Sequence, residues 1–147
     1  MNVSSRVYRA IREEIAGLEV QVAQRHRLRC PLDIDRQILD WEAFANEVMT
    51  GYQSTVYEYC RSLVLRDYID EVIDSASEPT GKFVLRQLTT ADETFGAATL
   101  PDREGWDLSE YFKVQTGSRW LRGPVLLGRL ASSFPNAPPS LPATGPG

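Results

Sequence analysis

A chain of 147 residues, 42% hydrophobic and 24% charged, has the length and make-up of one globular domain. Two cysteines, Cys30 and Cys60, and one histidine, His26, are too few for the four ligands of a structural zinc site or for a disulfide framework, so both thiols are expected free and buried. No apolar run reaches the roughly 18 residues of a membrane span. Residues 1–14 carry Arg6, Arg9 and Arg12 without the apolar stretch of an export signal, which points to a cytoplasmic protein that does not enter a membrane.

The first element follows from Val7, Ile11, Ile15, Leu18 and Val22, whose spacing of three and four lines one helical face over Ser4 to Arg29. Ser4 or Ser5 caps its start, Arg25, Arg27 and Arg29 suit its negative end, and Pro31 terminates it. Asp33 or Asp35 caps a second helix reaching Thr50, with Ile38, Trp41, Ala45 and Val48 inward and Gly51 as the stop. Thr55 and Glu58 form a capping box ahead of a third helix that runs to Ser75, before the breakers Pro79 and Gly81.

For Lys82 to Leu100 two readings stand. Residues 82–88 fit a strand, but Val84, Leu88, Ala91, Phe95 and Ala98 keep the helical interval, which favours a helix kinked near Thr89, where Thr90 and Glu93 offer a second box. Pro101 closes it. Beyond that point glycines interrupt the apolar residues; a short helix is expected over Asp107 to Lys113, and Val125 to Leu130 reads as a last helical turn or a lone strand. Residues 133–147, with five prolines, are expected to form a flexible tail. The fold class is therefore all-α: an irregular bundle of four to five helices over residues 1–132, with a disordered Pro-rich C-terminal tail. Its first three helices are expected to form an antiparallel scaffold whose open side is wrapped by residues 82–130.

Charge is unevenly spread. Residues 1–32 hold six arginines against three glutamates, whereas residues 33–78 hold three arginines against eleven carboxylates, a local charge of −8. On the third helix Asp67, Asp70, Glu71 and Asp74 fall on one side at helical spacing, a set of oxygen donors suited to Mg²⁺. Glu71 and Asp74 resemble the ExxD half of the all-α nucleotide pyrophosphatases; Glu42 and Glu47, five apart, do not supply the ExxE half that those enzymes also use. Metal-dependent hydrolysis is thus the alternative function, with those four carboxylates as ligands.

No glycine-rich phosphate loop or dinucleotide fingerprint is present, and no GxSxG or Cys-His signature surrounds His26, which as a general base would need an orienting carboxylate and a nucleophile; neither a catalytic residue nor a cofactor is assigned. The Arg25, His26, Arg27 and Arg29 cluster does not outweigh a pI near 5.0 and the absence of a nucleic-acid motif, so no nucleic acid is expected as partner. Leu141 to Gly145 read LPATG, which resembles the sorting signal of sortase-anchored surface proteins. Those signals continue into an apolar segment and a basic tail, whereas Pro146 and Gly147 follow here, so the match is read as compositional chance or a tag.

Like-signed charge over two helices steers a basic protein partner, a likeness of charge and size to small acidic inhibitors and immunity proteins. The expected function is therefore a non-enzymatic interaction module whose surface comprises Glu42, Glu47, Tyr59, Asp67, Tyr68, Asp70, Glu71 and Asp74, tyrosines being favoured interface residues. A homo-oligomer is the further option, with a second copy covering Trp106, Trp120 and Leu126.

Overall fold

The computed structural model describes residues 4–101, 108 and 118–126. Four helices, α1 (Ser5–Arg25), α2 (Ile34–Thr50), α3 (Val56–Ser75) and α4 (Glu78–Ala98), form a bundle. Two short antiparallel strands, β1 (Thr99–Pro101) and β2 (Arg122–Pro124), pair Leu100 with Gly123 beside the end of α4. No helix among the described residues is long and apolar enough to cross a membrane.

Local chemistry sets the helix starts much as the sequence implies. Ser4 Oγ accepts from the Val7 N–H, Asp33 Oδ1 from the Arg36 N–H and Thr55 Oγ1 from the Glu58 N–H, each satisfying a donor that the first turn leaves unpaired. Two ends differ from expectation. α1 stops at Arg25, before Pro31, because Arg27 turns left-handed (φ 56°) and lets the Leu28 N–H reach the Ala23 carbonyl at 2.9 Å, closing the last turn in a Schellman motif. α4 begins at Glu78, so Pro79 opens it: a missing N–H costs nothing in a first turn. Gly81 is helical rather than a breaker; a Cβ there would stand 3.3 Å from the Ile73 carbonyl, so its bareness allows α4 to start close against the end of α3. From there α4 runs without interruption through Thr89 and Thr90, which excludes both the strand over 82–88 and a second helix start.

α4 is a full member of the bundle rather than a wrapping segment, packed on α2 through Trp41, Phe44 and Phe95. α3 is the central helix. Val56, Tyr59, Cys60, Leu63, Val64, Ile69 and Val72 are buried around most of its circumference, which leaves only a narrow wet sector. An aromatic chain runs through the core, Tyr52 to Tyr59 and Phe44, then to Phe95, Trp41 and Trp120, with ring centroids 4.9–6.1 Å apart. Trp120 is therefore covered by its own chain and needs no second copy. Leu126 is half-buried, while Trp106, the expected helix over 107–113 apart from Leu108, and the tail lie outside the described residues. Cys60 is buried as expected, but Cys30 is exposed in the turn between α1 and α2.

α1 also caps its neighbours. Glu19 Oε2 accepts from the Ile34 N–H at 2.8 Å, at the start of α2. At the start of α4, where Ser77 forms no cap of its own, the Glu14 carboxylate accepts from the Ser77 N–H and from the Ser77 and Thr80 hydroxyls, each at 2.6 Å. These donors hold the Glu14 carboxyl below its ordinary value of 4.5. Glu14→Gln is expected to cost about 1 kcal/mol near pH 7, the usual worth of a lost cap. Because the folded value is depressed, that contribution is complete above pH 4.5 and disappears as pH falls through the lowered value. Glu19, raised mainly by burial, acts in the opposite sense but is common to both chains. Urea denaturation of the two proteins across pH 3–7 should show the gap closing on the acid side.

Candidate functional site

The acidic residues singled out in the sequence divide into two groups once folded. The first group is engaged inside the protein. Asp70 sits at a junction: Oδ1 accepts from Arg66 Nη1 at 2.7 Å and from Arg119 Nη2 at 3.2 Å, and Oδ2 from Trp120 Nε1 at 2.6 Å. Asp67 Oδ1 accepts from the Ser118 hydroxyl at 2.6 Å. Glu71 faces the other way, toward the end of α1, where it meets Arg25 Nη1 at 3.0 Å and His26 Nε2 at 2.6 Å. Tyr68, half-buried, lays its ring against His26 at 4.5 Å; burial, then Glu71 and Asp67, push its hydroxyl upward. Tyr59 is fully buried and donates to the Arg122 carbonyl at 2.5 Å, so it belongs to the core and not to a surface.

Asp67, Asp70 and Glu71 therefore point to separate partners, and Asp74 is exposed. Among the described residues no group of three or more His, Cys, Asp or Glu side chains is placed to hold a metal ion. The pocket between α2 and α3, lined by Gln37, Asp40, Trp41, Ser62, Leu65 and Arg66, has room for a water-sized group rather than a cofactor.

Beneath Asp70 lies a feature that sequence reading missed. Arg66 is fully buried, a charge in the middle of the core. Asp92 of α4 takes its Nε and Nη2 at 3.1 and 2.8 Å, Asp70 takes Nη1, and the Trp120 ring covers the guanidinium at 4.2 Å. Trp41 Nε1 donates to Asp92 at 2.8 Å. Every member of this network is anchored by another, as a buried ion cluster requires. The signal was present in the sequence: Arg66 stands three residues from both Leu63 and Ile69, on the apolar stripe, with Asp70 one turn on.

The second group faces water. Asp35 pairs with Arg12 and Asp40 with Arg36, but among the described residues no ion pair uses Glu42, Glu47, Glu58 or Asp74. Glu47, near the end of α2, and Glu58, in the first turn of α3, both act on Tyr52, whose hydroxyl is pushed up to about 12, first by burial and then by these two charges. Both carboxylates thus stand at one corner of the bundle. There α2 ends at Gly51 (φ 110°) with no basic residue in its last turn to offset the negative end of the helix dipole. Met49, in the last turn of α2, and Tyr57, in the first turn of α3, are 51% and 61% exposed. Glu42 is half-buried further back along α2, and Asp74 is exposed at the far end of α3. Of the eight residues expected to form one surface, the corner gathers only Glu47; Tyr57, Glu58 and Met49 join it instead.

In comparisons with known proteins, the chain matches no family model, no curated protein and no solved structure.

Proposed function

We propose that this chain is a non-enzymatic protein-interaction module that binds a basic protein partner through the acidic faces of α2 and α3. Its centre is the corner formed by Glu47, Met49, Tyr57 and Glu58, with Glu42 and Asp74 as outlying charges. The observation that carries this reading is the convergence of two glutamates that form no ion pair among the described residues, a helix C-terminus and two exposed large side chains at one end of the bundle. Carboxylates steer a positive partner and raise its rate of encounter. Tyr57 and Met49 supply adaptable apolar area that charge alone lacks.

The test is the mass of the purified chain by light scattering with a basic polypeptide and with host lysate. A discrete complex should form at low salt and dissociate near 1 M salt, where the Debye length shrinks to about 3 Å. Glu47→Lys with Glu58→Lys should abolish the complex while leaving the helical content intact, since neither carboxylate makes an ion pair among the described residues. A complex that survives the double reversal would refute this surface.

A further inference from the structure

Between α2 and α3 the bundle leaves a narrow cleft with Trp41, Leu65 and Ile69 as apolar walls and Gln37, Asp40 and Ser62 as polar groups. Gln37 Oε1 is buried and accepts no hydrogen bond among the described residues, a cost that folded chains seldom carry without a use. Asp40 turns Oδ1 toward Arg36 at 3.2 Å, a pair more than half exposed at both ends. The Ser62 hydroxyl donates to the Glu58 carbonyl at 3.2 Å, so its oxygen is still able to accept. Three acceptors thus line one cleft. The space beside them is about 20 Å³, room for one water-sized group. Arg66, also at the wall, is answered by Asp70 and Asp92 and adds no unmatched positive charge. The group that fits is a primary ammonium, which is compact, carries three N–H donors and hangs on a methylene stem that apolar walls can hold. A guanidinium, planar and several atoms wide, exceeds the space.

We propose that this cleft is an anchor pocket for the tip of a lysine side chain of the basic protein partner, an assignment that rests on the interaction reading given above. The ammonium donates to Gln37 Oε1, the Asp40 carboxylate and Ser62 Oγ, and the stem lies along Leu65 and Trp41. The cleft is in line with the acidic corner: Glu47 is seven residues from Asp40, on the same side of α2, and Ser62 is one turn beyond Glu58 on α3. A partner drawn in by the corner therefore brings a neighbouring basic side chain to the cleft. The corner attracts any cation, whereas the cleft discriminates lysine from arginine.

The probes are a lysine homopeptide and an arginine homopeptide of equal length, titrated into the full chain at one salt concentration. Exposed carboxylates alone favour arginine, whose fork grips them in pairs, so a lysine preference is the mark of the cleft. The lysine peptide should bind about tenfold more tightly, the worth of one hydrogen bond to a charged group. It should also move the side-chain amide signals of Gln37 in NMR spectra, and the arginine peptide should not. Gln37→Leu keeps the volume and removes the acceptor; it should erase the preference without lowering the melting temperature, since an unsatisfied buried oxygen goes with it. Glu47→Lys with Glu58→Lys should instead weaken both peptides and keep their ratio. A lysine peptide that binds no more tightly than the arginine peptide, or a lysine preference that survives Gln37→Leu, would overturn the pocket and leave the corner standing. A preference that Gln37→Leu erases and the double reversal leaves untouched in strength supports the pocket and removes the corner. If neither peptide binds, both assignments fall.

Discussion

Asp92→Ala should lower the unfolding free energy by about 3–5 kcal/mol, the range found when one partner of a buried ion pair is removed. Arg66 is wholly enclosed, so its charge cannot rehydrate when Asp92 goes; it keeps only the single bond to Asp70. Trp41 Nε1 loses its acceptor in the same step, a second orphaned polar group in the interior. The reverse truncation is expected to be milder. Arg66→Met fills similar volume and leaves two carboxylates that are 22% and 17% exposed, reach water, and still accept from Trp120 and Trp41. Urea denaturation should therefore rank the unaltered chain first, Arg66→Met second and Asp92→Ala last. Adding Arg66→Met to Asp92→Ala should recover part of the loss, because it removes the stranded charge. A loss below about 1 kcal/mol for Asp92→Ala, the scale of a surface pair, would mean that the guanidinium finds water or another acceptor.

The bundle was legible in the sequence because its helices carry strong apolar periodicity and side-chain caps, both of them local. Ser4, Asp33 and Thr55 each act at the positions their residue types imply. What the periodicity did not reveal is non-local. Glu14 and Glu19 of the first helix cap two other helices, and nothing within a few residues of either shows it. Pro79 and Gly81 read as breakers because their usual effect is judged in a helix interior; one lies in a first turn, and the other is where α4 approaches the Ile73 carbonyl.

The candidate site was legible in charge and not in geometry. The −8 segment is real, but a central helix must bury most of its circumference, so Asp67, Asp70 and Glu71 were drawn into partnerships with residues 118–120 and with the end of α1. Tyr59, at three residues from Val56 and four from Leu63, follows the buried stripe, whereas Tyr57 lies outside it. Counting the stripe before counting the carboxylates would have moved the surface toward Tyr57 and Glu58.

Trp120→Ala should cost about 3–5 kcal/mol, as expected for a buried tryptophan cut back to a methyl group. The indole is 6% exposed, touches Trp41 and Phe95 edge-on or tilted, and roofs Arg66 at 4.2 Å, so its removal both opens a cavity and lets water reach the buried cation. Trp120→Phe separates these effects. It keeps a ring over the guanidinium but deletes the N–H to Asp70, which retains Arg66 and Arg119; a loss of about 1 kcal/mol is expected for that one hydrogen bond. The pair Trp120→Ala and Asp92→Ala should be markedly non-additive, their combined loss falling short of the sum by about 0.5–3 kcal/mol, since both act through the same guanidinium. Water admitted by the first change already solvates the charge that the second would strand. Strict additivity in this double-mutant cycle would show that Trp120 stabilises the protein by packing alone, and that residues 118–126 close the bundle without sealing Arg66.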